Sequence, residues 1–301
     1  MNTLPRDKRI SVIKTLCEGV SINATVRLTG VAKTSILRLL VDMGRVCLAH
    51  EDTNLRGLYC PEIEADEIWG FNHCKAKTLP RAKAAPDGAG DVWTWYAVCR
   101  KSKAILSWIM GDRDESHAHA FMHDLASRLV ARTDLTTDGL GVYANAVFEA
   151  FTEANLGIDY AQVHKTYTNV EVAPGRTEAA CTGCSKTPVF GSPRLEKSGT
   201  SRVERANLTL RMAQRRWTRK TNAHSKSFEN MQAAFAVHSC FYNWARPHAS
   251  LNGKTPAMAL GIADRVWTVG DMVDLLEASE RKSIEAGSMK RGAYRPRKSA
   301  N

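Results

Sequence analysis

The sequence has no apolar run long enough to cross a bilayer, which argues against a membrane partner. The N-terminal segment MNTLPRDKRI also lacks the apolar stretch and small-residue cleavage site of a secretory signal peptide. We therefore expect a cytoplasmic protein. Cysteines at zinc-binding spacing are scarce as well, because only Cys181 and Cys184, of eight cysteines, form a CxxC pair. A structural zinc site usually needs a second such pair or two histidines, so reduced thiols are the expected state.

Carboxylates are too few to balance the positive charge. The 301 residues include 42 Lys and Arg against 31 Asp and Glu, a net charge of +11 at pH 7. This excess favours a polyanionic partner, and double-stranded DNA is the first candidate. The imbalance is greatest over residues 205–228, which contain no carboxylate and therefore predict contact with DNA phosphates. The predicted contact residues are Arg205, Arg211, Arg215, Arg216, Arg219 and Lys220.

Residues 1–55 have the spacing of a small all-α helix-turn-helix domain. Apolar residues recur at three- and four-residue steps after Pro5, and Gly19 ends this first predicted helix. Ser21 can cap a second, short helix that Gly30 ends. A three-helix bundle for oligomerisation is the alternative interpretation. In a helix-turn-helix, the third helix would present polar and basic side chains to a major groove, namely Lys33, Thr34, Ser35 and Arg38.

The pattern over residues 60–262 predicts a catalytic α/β domain. Three β-favouring runs come first, and helical and extended runs then alternate to give the order β-β-β-α-β-α-β. This order fits a mixed sheet with flanking helices in the ribonuclease H-like arrangement. The predicted strands are 63–71, 92–98, 104–110, 135–137 and 160–167, and the predicted helices are 116–132, 143–154, 201–217 and 228–244.

Two further segments complete the predicted organisation. Residues 168–200 are rich in Gly, Pro, Ser and Thr, which predicts a long irregular insertion in the catalytic domain. Residues 263–301 are expected to form a C-terminal helix and a basic tail. The tail has seven basic residues from Arg281 onward and few apolar ones, so we expect it to be disordered until it binds DNA.

Three acidic residues stand at positions suited to phosphodiester chemistry. Asp66 lies inside the predicted strand IEADEIWGF, where β propensity disfavours Asp. Asp138 ends a short strand in LTTDG, although an Asp-Gly pair is also an ordinary turn. Glu204 begins a helix on the same face as Asn207 and Arg211, although a solvated helix charge is the simpler interpretation. Together, such carboxylates could hold two divalent cations about 3.5 to 4 Å apart.

The segments ADEIWGF, LTTDGLGVY and SRVERANLTLRM resemble the three signature segments of DDE-class transposases from bacterial insertion sequences, especially the insertion-sequence-one family. The resemblance extends from the helix-turn-helix to about Ile262. It implies that Asp66, Asp138 and Glu204 bind two Mg²⁺ or Mn²⁺ ions. It also implies hydrolysis at the 3′ ends of the element, followed by attack of the freed hydroxyls on target DNA. Such a protein would act in the bacterial nucleoid as a homodimer or higher oligomer on DNA.

A second segment, YNWARPHASLNGKTPAMALG, is similar to the closing motif of integrase-type transposases. It implies that Asn243, Arg246 and His248 support the site or contact DNA, although a helix that stops before Pro247 is also a plain structural feature. The sequence departs from the insertion-sequence family in one respect. Some members of that family carry a cysteine-rich zinc module near the N-terminus, and this sequence shows no clear one. The alternatives are a helix-turn-helix DNA-binding regulator without catalysis, and a nuclease of the same fold.

Overall fold

The computed structural model describes residues 3–173 and 175–286. Within them, the strands in chain order are β1 Glu62–Asn72, β2 Gly90–Cys99, β3 Ile105–Gly111, β4 Thr133–Asp138, β5 Ile158–Ala173 and β6 Arg176–Phe190. The α-helices over the same ranges are α1 Arg6–Cys17, α2 Ile22–Thr29, α3 Lys33–Asn54, α4 Glu115–Ser127, α5 Val142–Glu153, α6 Ser201–Ala213, α7 Phe228–Cys240, α8 Pro256–Leu260 and α9 Val269–Glu285. The part of the predicted basic tail beyond residue 286 lies outside the described residues.

The six strands form one mixed sheet in the order β3-β2-β1-β4-β5-β6. β2 is antiparallel to both β1 and β3, whereas β1, β4 and β5 run parallel to one another. Parallel neighbours need long crossover connections, and α4 and α5 belong to the connections that lead into β4 and β5. The predicted α/β class, with a mixed sheet, flanking helices and the order β-β-β-α-β-α-β, is confirmed.

The N-terminal helices share the hydrophobic core of the sheet. The Ser21 side chain accepts a hydrogen bond from the backbone N–H of Ala24, and Gly30 ends α2 with φ of 69°, as the sequence predicted. α3 continues to Asn54 and packs along α7. The contact is so close that a Cβ added at Gly44 would lie 2.6 Å from the Cα of Ala233. The predicted division into a helix-turn-helix domain over residues 1–55 and a catalytic domain over residues 60–262 stays a prediction.

The segment predicted to be irregular, 168–200, is mostly a β-hairpin. β5 continues to Ala173 and pairs with β6, for example through Thr168 opposite Ala180. β-branched residues alternate along this part of β5, and cross-strand pairing outweighs the Gly- and Ser-rich composition that suggested a loop. Among the described residues of this segment, only Gly175 and residues 191–200 lie outside a helix or strand.

Three predicted helices have different ends. α4 begins after Asp114, whose carboxylate accepts a hydrogen bond from the N–H of His117, and not at Ser116. It stops at Ser127 because the following residues pair with Leu58. α6 stops at Ala213, since Gln214 is extended and bonds to α1, and α7 gives way to a π-helical turn after Cys240.

Candidate active site

Asp66 and Asp138 lie side by side at the centre of the sheet. Asp66 is half-buried in the middle of β1, and Asp138 is the last residue of β4. The two strands are parallel, with Glu64 opposite Thr136, and this register brings the two aspartates to the same level. Both line a cavity of about 600 Å³ that Glu204 on α6 also lines. The structure therefore brings all three predicted acids to one cavity.

The tightest carboxylate group contains an unexpected member. One oxygen from each of Asp66, Glu67 and Asp138 lies within 4.8 Å of the others. Glu204 is outside this group. Its Oε1 accepts a hydrogen bond of 2.6 Å from Thr200 and forms an ion pair with Lys165. Two of the three predicted acids thus meet directly, and the third lies at the cavity wall with a cationic partner.

Sequence reasoning missed Glu67, which is only 7% exposed. Its Oε2 accepts a hydrogen bond of 2.9 Å from the hydroxyl of Tyr143, and its Oε1 accepts one of 2.8 Å from Arg113. The Arg113 guanidinium also lies 3.8 Å from Asp138 and over the ring of Trp93 at 4.7 Å. The available signal was that Glu67 directly follows Asp66, but β1 also contains Glu62 and Glu64, so the sequence did not single Glu67 out.

Burial and mutual repulsion act on these carboxylates. Burial raises the pKa of Asp66 to about 7, and the neighbouring Glu67 and Asp138 add to the rise. Hydrogen bonds to Asp66 from the N–H of Glu67 at 2.9 Å and from the Asn207 amide at 2.8 Å oppose it. The pKa of Glu67 is also raised, first by burial and then by Asp138. Negative charge concentrated in this way favours the binding of a cation at these carboxylates.

The predicted basic stretch is divided among several places. Arg211 and Arg219 line the cavity together with Lys165. Arg215 instead donates a hydrogen bond to the carbonyl of Gly19. The remaining members differ in exposure: Arg216 is half-buried, Lys220 is exposed, and Arg205 is exposed on the other side of α6.

The predicted groove-binding residues lie at the start of α3. Lys33, Thr34 and Arg38 are exposed and Ser35 is half-buried. None of them lines the cavity that contains the carboxylates. Their contact with DNA stays a prediction.

The closing motif has two different parts. Asn243 is fully buried, and its amide exchanges hydrogen bonds of 3.0 and 2.9 Å with the backbone of Ile105 on β3. It therefore cannot contact DNA and instead connects the end of α7 to the sheet. Arg246 and His248 line a separate cavity together with Arg205.

No protein-family model and no curated protein matches the sequence. Among solved structures, the chain is similar to the Mos1 strand transfer complex (TM-score 0.32) and to a pre-cleavage Mos1 transpososome (TM-score 0.30). Each is 10% identical in sequence, and the matches cover 97% of this chain and 81% and 82% of the other chains. Similarity of this degree does not identify a function. Over residues 3–173 and 175–286, no helix combines the length and apolar character needed to cross a membrane.

Proposed function

We propose that this chain is a DDE-class transposase, related to the insertion-sequence-one family, that cleaves DNA at the ends of an insertion sequence and transfers the strands into target DNA. One observation carries the proposal. Asp66, Asp138 and Glu204, which come from segments far apart in the sequence, line a single cavity whose wall also contains Arg211 and Arg219. Metal-dependent phosphodiester chemistry requires carboxylates that bind divalent metal ions and, beside them, basic side chains that bind phosphates.

The sheet supports this proposal. The strand order β3-β2-β1-β4-β5, with β2 antiparallel, fits the ribonuclease H-like arrangement expected from the sequence. In this order β1 and β4 are adjacent central strands. An acid in the middle of β1 and another at the end of β4 then meet where open sheets commonly bind ligands.

The residues present fit a divalent cation. Asp66, Glu67 and Asp138 offer hard oxygen donors that lie close enough to share an ion. Burial, and after it the charge of neighbouring carboxylates, raises the pKa of Asp66 and of Glu67, and a bound cation would relieve the repulsion between these carboxylates. We assign Asp66, Asp138 and Glu204 as ligands for two Mg²⁺ or Mn²⁺ ions, with Glu67 beside them. Such ions, when bound, supply activation of the attacking oxygen and stabilisation of the leaving oxygen.

The surrounding residues position these groups. Asn207 donates a hydrogen bond to Asp66 and accepts one of 2.8 Å from the hydroxyl of Tyr96, so the amide fixes the orientation of the carboxylate. Lys165 forms an ion pair with Oε1 of Glu204, and a cation that took this oxygen as a ligand would displace Lys165 from it. Once released, Lys165 is placed in the same cavity to bind a DNA phosphate.

Double-stranded DNA is the proposed partner, both as the ends of the element and as the target. The exposed start of α3, at Lys33, Thr34 and Arg38, is the proposed recognition surface. Acting on two ends in one reaction requires two active sites, so we propose a homodimer or higher oligomer on DNA. The place of action would be the bacterial cytoplasm, at the nucleoid.

The proposal is tested with DNA that carries the ends of the element, in the presence of Mg²⁺ or Mn²⁺. We expect cleavage and strand transfer by the wild type. Both activities should be lost in Asp66→Asn, Asp138→Asn and Glu204→Gln, while DNA binding is retained. The matched control is Asp264→Asn, which removes an exposed carboxylate between α8 and α9. Full activity in a triad variant would remove that residue from the assignment, and cleavage without joining would indicate a nuclease of the same fold.

A further inference from the structure

A second cavity, of about 360 Å³, lies on the other side of α6 from the carboxylates. Glu204, Asn207 and Arg211 face the carboxylate cavity, at three- and four-residue steps along the helix. Arg202 and Arg205 lie on the face that lines the second cavity. The two cavities are therefore separated by one helix, which is about 10 Å across.

Cations from three separate parts of the chain converge on this second cavity. Arg202 and Arg205 come from α6, Lys103 from the turn between β2 and β3, and Arg246 from the segment after α7. No Asp or Glu among the described residues lines it. Within the described ranges, none of the four forms an ion pair with a carboxylate, although many other arginines of the protein do. The pKa of Lys103 is lowered, first by burial and then by Arg202, so these cations repel one another.

The cavity also has a neutral polar side chain. His248 packs edge-on against Tyr242, with ring centroids 4.7 Å apart. Burial, assisted by Arg246 and Lys103, lowers the pKa of His248 to about 4, so the imidazole is neutral at pH 7. Its Nε2 is buried and has no hydrogen-bond partner among the described residues. A neutral imidazole can donate one hydrogen bond from such a nitrogen.

The backbone around His248 is already ordered. Its N–H donates to the carbonyl of Lys254 at 3.0 Å, and its own carbonyl accepts from Gly253 at 3.1 Å. This closed turn holds His248 beside the three arginines without help from a ligand. A site whose donors are preorganised loses less conformational entropy when it binds an anion.

We propose that this second cavity binds a backbone phosphate of DNA, on the far side of α6 from the carboxylates. Unpaired guanidinium groups from separate segments match the oxygens of a phosphate, and each presents a fork of N–H donors. A DNA strand that crosses α6 would contact both cavities, with one phosphate at each. The choice of DNA as the ligand rests on the proposed function.

The test measures binding of a 30-base-pair duplex by fluorescence anisotropy over a series of salt concentrations, with EDTA present. We expect Arg205→Gln and Arg246→Gln each to weaken binding and to lower the slope of log K against log salt by about one. The double variant should also lower it by about one and not by two, because both arginines contact the same phosphate. Arg202→Gln, an exposed change on α6, provides a third variant with the same expectation if either of the others fails to fold.

The matched control is Arg45→Gln. Arg45 is exposed and already pairs with Glu229, so its removal changes the net charge equally without removing an unpaired cation. We expect the slope of this variant to equal that of the wild type. An unchanged slope in the double variant, or an equal loss in Arg45→Gln, would overturn the proposal.

A second measurement distinguishes binding of free phosphate from binding of DNA. The double variant could lose binding of inorganic phosphate and still keep the wild-type salt slope for DNA. That result would also overturn the proposal, because the cavity would then be a site for a free anion. No metal takes part in these measurements. A protein that showed the expected slopes but no metal-dependent cleavage would therefore refute the proposed catalysis and leave the phosphate site standing.

Discussion

Replacement of Asp66 by Asn is expected to stabilise the metal-free protein at alkaline pH. The folded protein holds the pKa of Asp66 at about 7, against 3.8 for the free side chain. This carboxyl group therefore favours the folded state below pH 4, and that contribution is lost as the pH rises through 7. The difference corresponds to about 4 kcal/mol, at about 1.4 kcal/mol for each tenfold change in proton affinity. Solvent screening of a half-buried group reduces it to about 2 kcal/mol.

The hydrogen bonds of Asp66 reduce the gain in the free energy of unfolding that is expected for Asp66→Asn. Asn at this position still accepts from the N–H of Glu67, but the Asn207 amide must turn over to meet a new NH₂ group, which costs about 1 kcal/mol. We therefore expect a net gain of about 1 kcal/mol at pH 8 and none at pH 5.

The assay is urea denaturation with EDTA at both pH values. Asp264→Asn serves as the control, since its exposed carboxylate should produce no such pH-dependent difference. The opposite result, a wild type that is more stable than the Asn variant at pH 8, would show that burial and the neighbouring carboxylates do not raise the pKa of Asp66. A gain of equal size at pH 5 and pH 8 would show that ionisation of Asp66 is not its cause.

Three other substitutions test separate parts of the structure. Asn207→Ala removes the donor that orients Asp66, so the cleavage rate should fall about tenfold with little change in DNA affinity, as measured by single-turnover kinetics and anisotropy. Lys165→Met frees Glu204 from its ion pair, so Mn²⁺ should bind more tightly to the DNA-free protein in a calorimetric titration. Gly44→Ala places a methyl group 2.6 Å from Ala233, and chemical denaturation should show a loss of about 2 kcal/mol.

The sequence predicted the elements whose apolar pattern is regular. The helix that ends at Gly30 and the strands around Asp66 and Asp138 follow from local periodicity, caps and propensity. Local rules were sufficient for these elements. The meeting of the two aspartates was expected from the order of the elements together with the resemblance to DDE-class transposases.

Features that depend on contacts between distant segments were not predictable in this way. Glu67 is held by Tyr143 and Arg113, which come from different elements. The extension of β5 depends on pairing with β6, which composition alone does not reveal. Asn243 has the appearance of a motif residue, yet its buried bonds to Ile105 give it a structural role.

The central claim is that Asp66, Asp138 and Glu204 catalyse DNA strand transfer. Its most direct test supplies the protein with a pre-cleaved element end bearing a 3′ hydroxyl, together with a supercoiled plasmid and Mg²⁺. We predict covalent joining of the end to the plasmid by the wild type. Joining should be absent with Asp66→Asn and absent when the end lacks its 3′ hydroxyl. Joining that persists in Asp66→Asn, or no joining by a wild-type protein that binds the end, would contradict the claim.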